Sequence, residues 1–517
     1  MTASIEELSA RYGPAYRWCV TATVMAGLIA MVASATIVNV AMPDIMGEMG
    51  LGQDQAQWLS TAFLASMTTA MLVSNWAVQR FGQRASFATA LAAFTLGSIM
   101  GGFATDDTVL IVARAIQGLA AGIAQPMGML SIFQAFPANR RGTAMGIYGM
   151  GVILAPAIGP TVGGMLIDSF SWRYTFAMGL PFCLLGIALS LIFLPTRSSK
   201  EVAPFDLLGF LLLSVGVASF LAAISNGQRM GWDSGFVLGA FVAAAGATVA
   251  FVIRELRTAN PILALEVYRN PRFVAASVVA FILGMGLYGS TYLVPLFVQT
   301  IQGYSPTESG LLLMPAGIAL GFVFPLAGRL SDHVNASILI MIGLAVFGIS
   351  SALMIEVGTS TWFWTFAGWV MLGRIGLGFI LPSLNGGSLR VLDRHLMGHG
   401  SGAINFVRQL GGALGVGILS VYLERQTAAY ATEFAAMQSG SSTAANALRA
   451  LTISLRSAGL GSGTARATAR GFLSRMLSAQ ASMMGFRESF LLVAAAFLIA
   501  LVPAYFIRAR RGAGQGV

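Results

Sequence analysis

Long apolar stretches constrain this chain more than any other feature, because so little of it is charged. Only 10% of the 517 residues are Asp, Glu, Lys or Arg, against about 25% in an ordinary soluble domain. A helix needs roughly 20 largely apolar residues to cross a hydrocarbon core of about 30 Å. Lipid leaves an open chain no way but the helix to satisfy its backbone. The sequence therefore predicts an all-α polytopic membrane protein.

Fourteen stretches of the chain are long and apolar enough to be predicted spans. They cover 17–42, 56–78, 86–104, 108–134, 142–167, 174–195, 206–226, 235–256, 273–302, 309–328, 336–357, 362–386, 398–423 and 487–507.

The basic residues predict how the spans are oriented. With both termini in the cytoplasm, the short cytoplasmic segments hold eighteen Arg and Lys residues, whereas the short outer segments hold only Arg173 and Arg229. Such a bias is typical of cytoplasmic loops in membrane proteins. We therefore expect a multi-pass protein of the cell inner (cytoplasmic) membrane with both termini cytoplasmic. The formal charge of +10 indicates topology rather than binding to nucleic acid.

Cofactor chemistry and catalysis have no support in the sequence. Cys19 and Cys183 fall inside predicted spans, and the three histidines lack metal-ligand spacing. There is no Walker loop and no pairing of a nucleophile with a base. We expect no metal, no cofactor and no enzyme activity.

Two short cytoplasmic loops resemble each other. The loop after the second span reads Asn75-Trp-Ala-Val-Gln79-Arg80-Phe-Gly82-Gln-Arg84, and the loop after the tenth reads Gly328-Arg329-Leu-Ser-Asp332-His-Val-Asn335. Repetition between halves is typical of secondary transporters. Both loops resemble the loop signature of the major facilitator superfamily, G-x-L-x-D-R-x-G-R-K/R. The first copy departs from it, with Asn75 in place of Gly and Gln79 in place of Asp. The resemblance implies that both loops act in gating.

The fourth and fifth predicted spans extend this resemblance. Arg114-Ala-Ile-Gln117-Gly118 matches the superfamily's R-x-x-Q-G element. The next span matches the G-x-x-x-G-P-x-x-G-G element of its antiporters through Gly149, Pro156, Gly159, Pro160, Gly163 and Gly164. Glycines at this spacing let a neighbouring helix pack closely, and the prolines favour a bend.

Further matches resemble the fourteen-helix drug:H+ antiporter family of the EmrB/QacA type. They are Thr36-Ile-Val-Asn39-Val-Ala-Met-Pro43, Trp172-Arg173, Phe205 to Gly209, Gly231-Trp232, Gln299 to Pro306 and Asn405 to Gly412. The resemblance implies a six-helix bundle over 1–195, two inserted helices over 196–260 and a second six-helix bundle over 261–517. It also implies efflux of amphipathic drugs or toxic organic compounds, driven by the proton motive force.

One departure bears on the coupling mechanism. Members of that family usually carry an Asp two residues before Thr36, and this position is Ser34. None of the 20 acidic residues lies near the middle of a predicted span. A deep carboxylate that could carry a proton is therefore missing.

Arginines, by contrast, lie within three predicted spans, at Arg114, Arg374 and Arg408. Each costs roughly 2.5–3.5 kcal/mol near the bilayer centre unless it faces protein or water, so each is a candidate for substrate binding or coupling. The alternative is that they bond backbone carbonyls or amides such as Asn39, Gln117 and Asn405. Buried arginines without deep carboxylates favour anionic or weakly acidic substrates.

The segment 424–486 is predicted to be a long extracytoplasmic loop that contains two short amphipathic helices. One interpretation is a solvated or membrane-resting loop. The other, which the resemblance implies, is a docking site for an extracytoplasmic adaptor protein. Two other functions stay open, namely import of an organic solute and a non-transporting membrane sensor on the same fold.

Overall fold

Helices account for every regular element that the structure describes. This computed structural model describes residues 5–51, 53–196, 204–438, 442–458 and 460–507. Its α-helices in chain order are α1 Ile5–Tyr12, α2 Tyr16–Met49, α3 Gln53–Gly102, α4 Asp107–Ala135, α5 Arg141–Ser169, α6 Arg173–Ala177, α7 Leu180–Phe193, α8 Leu207–Met230, α9 Gly235–Arg257, α10 Pro271–Thr300, α11 Pro306–His333, α12 Ala336–Leu353, α13 Phe363–Arg390, α14 Met397–Gln438, α15 Ser442–Ser457, α16 Ser462–Ile499 and α17 Leu501–Phe506.

Twelve stretches of the described chain are long and apolar enough to cross a membrane, against the fourteen predicted. The predicted spans 56–78 and 86–104 form one of the twelve, because both lie in α3. The other difference is α5, which corresponds to the predicted span 142–167 and is not among the twelve.

Helix α3 folds back on itself at Gly82. This residue has φ 80° and ψ 164°, a conformation that costs glycine little and other residues much. Across the turn, Ser86 Oγ donates a hydrogen bond of 2.8 Å to the carbonyl of Ala77. Nine residues of straight helix would hold these two groups about 13 Å apart. Helix α3 therefore has two arms, 53–81 and 83–102.

Two groups of helices pack against each other and share one continuous hydrophobic core. Helices α2 to α7 form one group, which we call the N half, and helices α10 to α14 with α16 and α17 form the other, the C half. The halves meet where α5 packs against α11 and α13, and where α14 packs against α3 and α4. Helices α8 and α9 pack on each other, and α8 also contacts α3 and α14.

Hydrogen bonds identify the two ends of the bundle. Asp332 at the end of α11 binds the first turn of α5 and Arg390 at the end of α13, and Ser337 at the start of α12 binds Ala504 in α17. We call this end the basic face, since it also holds Arg80, Arg140, Arg329 and Arg394. The other end, with segments 103–106, 170–172 and 357–362, is the opposite face.

The segment 424–486 is not the loop that the sequence predicts. Helix α14 continues to Gln438, and α16 begins at Ser462, so most of the segment is helical. The two helices pack closely because Gly485 has no side chain, and a Cβ there would lie 3.0 Å from the carbonyl of Leu423. Tyr430 also donates a hydrogen bond of 3.2 Å to Glu488. Close packing along α14 and α16 is what turns the predicted loop into a helical extension.

Candidate functional site

The first buried arginine, Arg114, lies seven residues after the start of α4 and is completely buried. Its Nη1 donates to Gln117 Oε1 at 3.0 Å and to Ser34 Oγ at 3.2 Å, and its Nε donates to the carbonyl of Leu59 at 3.2 Å. Its guanidinium carbon is 4.1 Å from the centre of the Phe63 ring. All of these partners are neutral, and all belong to the N half.

This cluster joins four pieces of the N half. Gln117 Nε2 donates to Ser98 Oγ at 2.9 Å, so bonds from α4 reach α2 and both arms of α3. Arg114 Nη2 is buried and has no hydrogen-bond partner in the protein. The structure thus brings together three of the predicted residues, Ser34, Arg114 and Gln117. The side chain of Asn39, a fourth, lies outside the described part.

Arg408 has a different setting, on the surface of the C half that meets the N half. It is 4% exposed, and its Nη2 donates to Asn405 Oδ1 at 2.6 Å. Asn405 Nδ2 in turn donates to Met129 Sδ of α4 at 3.2 Å. One turn earlier in α14, Ser401 Oγ donates to the carbonyl of Pro126, also in α4, at 2.8 Å. Arg408 and Asn405 therefore lie at the junction between the halves.

Four residues that the sequence did not single out complete this junction. The Tyr148 hydroxyl donates to the carbonyl of Gln125 at 3.3 Å, and the Tyr288 hydroxyl donates to Gln409 Oε1 at 3.0 Å. Both tyrosines are close enough to Arg408 to interact with its charge. The Arg408 guanidinium thus lies near one phenol from each half and the side-chain amide of Asn405. We call Gln125, Tyr148, Tyr288, Asn405, Arg408 and Gln409 the junction cluster.

Some buried polar groups near α4 and α13 have no partner in the protein. They are Gln125 Oε1, Ser383 Oγ and Asn385 Nδ2. Buried polar atoms are nearly always hydrogen-bonded, so these three can accept a bond from, or donate one to, a substrate or water. The sequence did not single them out, although two of them share a spacing from a buried arginine. Gln125 follows Arg114 by eleven residues, and Asn385 follows Arg374 by the same interval.

Arg374, the third buried arginine, lies inside the C half. It is 8% exposed, and its Nη2 donates to Thr291 Oγ1 at 3.0 Å. It borders a small void that is also lined by Ser290, Phe347 and Ser350. Its setting resembles that of Arg114 more than that of Arg408, since its identified neighbours belong to one half.

The glycines of the predicted antiporter element, which lies in α5, face two different neighbours. A Cβ at Gly149 would lie 3.1 Å from Leu381 Cδ2, so this glycine faces the C half. Cβ atoms at Gly159 and Gly163 would lie 2.8 Å and 2.9 Å from side chains of α2, whereas one at Gly164 would meet nothing within 4 Å. The side chains of Pro156 and Pro160 lie outside the described part.

The repeated loops are built differently. Asp332 lies in the last turn of α11 rather than in a loop, and it accepts hydrogen bonds from Gly142 N at 2.5 Å, Thr143 N at 3.0 Å and Thr143 Oγ1 at 2.8 Å. Arg390 of the C half also binds it, at 3.3 Å. A carboxylate at the first turn of a helix is favoured by the helix dipole. Asp332 therefore ties the C half to the start of α5.

The first loop has no such carboxylate. Gln79 and Arg80 are exposed, and Gly82 forms the turn in α3. Arg84 Nε donates to the carbonyl of Leu194 at 2.8 Å, which is a bond within the N half. In the second loop, Arg329 is exposed, and a Cβ at Gly328 would lie 2.7 Å from the carbonyl of Gly142.

The halves are closed at the basic face. The bonds of Asp332 to α5 and of Ser401 to α4 both lie at or towards this face. Helices α5 and α11 touch there, since a Cβ at Gly146 would lie 2.4 Å from the carbonyl of Phe324. Near the opposite face, Cβ atoms at Gly164 of α5 and Gly310 of α11 would meet nothing within 4 Å.

No described acidic group pairs with the three buried arginines. Ion pairs among the described residues include Arg173–Glu48, Arg254–Asp206 and Arg390–Asp332. Of the described acidic residues, Asp206 and Glu255 are buried, and both lie at the ends of the α8–α9 pair nearest the basic face. The hydrogen bonds identified for the three buried arginines therefore go to neutral groups.

Solved structures with the same architecture belong to membrane transporters. The human organic anion transporter MFSD10 (TETRAN) superposes with a TM-score of 0.61 at 12% identity, over 94% of this chain and 99% of its own. The proton:xylose symporter XylE superposes with a TM-score of 0.57 at 14% identity, over 78% of this chain and 88% of its own. At these identities the similarity is one of fold.

Sequence comparison gives the family. Multidrug transporter protein MdtP of Bacillus subtilis is 30% identical over 77% of this chain and 74% of its own length. A Mycobacterium tuberculosis protein called multidrug resistance protein B homolog is 29% identical over 79% and 75%. The methylenomycin A resistance protein of Streptomyces coelicolor is 27% identical over 77% and 84%. The model of the Major Facilitator Superfamily matches residues 24–416, which confirms the predicted resemblance at that level. The chain is a transporter rather than an enzyme, and it belongs to the Major Facilitator Superfamily.

Proposed function

We propose that this chain is a secondary active efflux transporter that exports amphipathic drugs or toxic organic compounds and prefers anionic or weakly acidic ones. The observation that carries the proposal is the junction cluster. Arg408 is buried there between the halves and has neutral neighbours. A transporter of this superfamily binds small molecules between its halves, so the residues at the junction select the substrate.

The charge of the junction argues for anionic substrates. Burying a guanidinium without a carboxylate is costly, and a substrate that brings its own negative charge removes much of that cost. The free atoms of Gln125, Ser383 and Asn385 offer further hydrogen bonds to the polar part of such a molecule. The phenol rings of Tyr148 and Tyr288 offer apolar surface to the rest of it. This combination suits an amphipathic anion.

The driving force follows from topology and charge. We propose that the basic face is cytoplasmic, that both termini lie on that side and that the membrane is the inner one. Because the basic face is closed, the structure then represents a state that is closed to the cytoplasm. Export of an anion from a negative-inside cell is favoured by about 2.3 kcal/mol per charge per 100 mV. Proton exchange, where it takes part in transport, then uses the acid group of the substrate rather than a carboxylate deep in the protein.

We also propose that the chain crosses the membrane fourteen times. Counting the two arms of α3 separately adds one crossing to the twelve candidate spans. Helix α5 adds another, because its 29 residues extend about 43 Å and pack between α2 and α11. In this interpretation 1–195 and 261–517 are the two six-helix bundles, and 196–260 contains the inserted pair.

The test is efflux of paired amphipathic dyes, one anionic and one cationic, from a pump-deleted host that expresses this protein. The pH gradient and the membrane potential are collapsed separately in the same cells. We expect efflux of the anionic dye that persists without the pH gradient and falls without the potential. Efflux of the cationic dye that stops with the pH gradient would contradict the anion preference and point to a carboxylate at a span boundary.

An adaptor protein is proposed to contact the helical extension at 424–486. The support is its size, since α14 and α16 run on together well past the last apolar turns, and α15 packs against α16. Replacing 440–460 by a short Gly/Ser linker should lower drug resistance in whole cells without lowering transport in purified vesicles. Equal losses in both assays would show that the extension serves the transporter itself.

A further inference from the structure

A cavity at the basic face lies outside the junction between the halves. It is bounded by the N-terminal helix α1, by the start of α2 and by the end of α4, and its volume is about 310 Å³. Its polar lining comes from Ser9, Tyr16, Arg17 and Gln134. We call it the Arg17 cavity. Its size suits a small polar group such as a phosphate with its nearest substituents.

The arginine in this cavity has an unused donor. Arg17 Nε is buried and has no hydrogen-bond partner in the protein. The guanidinium carbon lies 5.8 Å and 6.0 Å from the ring centres of Phe136 and Trp18. A second guanidinium, that of Arg84, is close enough to Tyr16 to interact with it electrostatically. Buried donors of this kind favour an anion with several acceptor oxygens.

The cavity is placed at the membrane surface. Trp18 is 51% exposed on the outside of α2 beside Arg17, and half-exposed tryptophans are typical of the interface between lipid and water. The short helix α1 packs its Leu8 inward and leaves Glu6 and Arg11 exposed. Basic pockets between helices on one side of a membrane bind anionic headgroups.

A hydrogen-bond chain leads from the cavity to the turn in α3. Gln134 accepts a bond of 3.0 Å from Gln83 Nε2, and Gln83 Oε1 accepts one of 3.3 Å from Ser131. Gln83 directly follows Gly82, the turning residue. Gln134, which lines the cavity, is therefore hydrogen-bonded to the residue that follows the turn in α3.

We infer that the Arg17 cavity binds a phosphate-bearing anion, with the phosphate oxygens on the Arg17 guanidinium. Such a phosphate belongs either to the headgroup of an anionic lipid or to a free phosphate solute. The Arg17 cavity is separate from the junction cluster, so this inference does not depend on the identity of the transported substrate.

The experiment uses the purified full-length protein in detergent. Binding of phosphatidylglycerol and phosphatidylcholine is followed by native mass spectrometry, and binding of inorganic phosphate by calorimetry. We expect saturable binding of phosphatidylglycerol over phosphatidylcholine, and a loss of about tenfold in affinity in Arg17→Gln, the change expected when one charge-assisted hydrogen bond is removed. Arg11→Gln is the matched control, because it removes the same charge from an exposed position nearby.

The outcomes distinguish a lipid headgroup from a free phosphate solute, or they show that the cavity does not bind phosphate. Binding of inorganic phosphate that depends on Arg17, without preference for phosphatidylglycerol, supports the site and assigns a free solute as its occupant. Equal losses in Arg17→Gln and Arg11→Gln, or no binding that depends on Arg17, would overturn the inference. Should Arg17→Gln fold poorly, Ser9→Phe fills the cavity without changing its charge and should lower the affinity as well.

Discussion

Arg114 and Arg408 are both buried arginines in long apolar helices, yet their surroundings differ in kind. Arg114 bonds to groups of the N half alone, and it holds α2, α3 and α4 together. Arg408 lies where α14 meets α4, next to tyrosines from α5 and α10. We propose that the halves move against each other during transport, so that the neighbours of Arg408 in the other half change while those of Arg114 stay in place.

Burial alone does not assign a role to these arginines. A cation inside one half stabilises that half in every state of the cycle, whereas a cation at the junction can meet a substrate. Arg374, with its bond to Thr291, belongs with Arg114 in this respect. We therefore assign charge selection to Arg408 and internal support to Arg114 and Arg374.

Neutralising Arg408 tests this assignment most directly. Arg408→Gln should lower efflux of the anionic dye roughly 10- to 100-fold, the range expected for losing a hydrogen bond to a charged group, and should lower cationic efflux far less. Efflux rates at matched protein amounts in the membrane give the measurement. Arg408→Lys keeps the charge and should retain much of the anionic efflux. Equal losses of anionic and cationic efflux in Arg408→Gln would show that Arg408, like Arg114, does not select substrates by charge.

Neutralising Arg114 should have the opposite signature. Arg114→Gln leaves the Leu59 carbonyl and the Ser34 hydroxyl without their donor, so unfolding free energy should fall by about 2–3 kcal/mol. Efflux of the two dyes should fall in parallel. Thermal unfolding of the purified protein measures the first effect. Arg114→Lys should not restore the stability, because a lysine ammonium cannot bond to the Leu59 carbonyl and the Ser34 hydroxyl at once as the planar guanidinium does. A selective loss of anionic efflux at normal stability would contradict the internal role.

The sequence predicted the parts of these sites that lie close together in the chain. Arg114 with Gln117 and Arg408 with Asn405 are three residues apart on one helical face, so their pairing follows from helix geometry. The all-helical architecture and the superfamily followed from apolar length and short motifs. The partners from other helices, Tyr148 and Tyr288, did not, because which helix faces which depends on packing between the halves.

Two errors have physical causes of the same kind. Asp332 was predicted in a loop, and it lies in the last turn of α11, where it meets α5 across the junction. The segment 424–486 was predicted as a loop with two short amphipathic helices, but small residues such as Ala465, Ala481 and Gly485 let α16 pack closely as one long helix. The length of apolar stretches and the distribution of charge do not predict the close helix contacts that small residues permit.

Asp332 offers a second link across the junction, smaller in effect than Arg408. Asp332→Asn removes the charge that the first turn of α5 and Arg390 stabilise, which should weaken closure at the basic face by about 1–2 kcal/mol. The population open at that face should rise about tenfold. Spin labels at Asn139 and His395 in a cysteine-free background would report the distance between the halves. Asp393→Asn, an exposed aspartate at the same face, should leave the distances unchanged, and an equal shift in both variants would contradict the contact.

The smallest effect is expected from an ion pair inside the N half. Hydrogen bonds from Trp172 and Arg173 hold the pKa of Glu48 below its ordinary value of 4.5. Because the folded pKa is the lower one, this stabilisation is present above pH 4.5 and is lost as the pH falls through the folded value. Glu48 is half exposed, so Glu48→Gln should lower the unfolding free energy at pH 7 by only a few tenths of a kcal/mol. Thermal unfolding at pH 7 and near pH 3 should show that the difference from wild type disappears in acid. Glu6→Gln, at an exposed position of α1, should show no difference at either pH, and a Glu48→Gln effect that persists in acid would mean that packing rather than charge links α2 to α6.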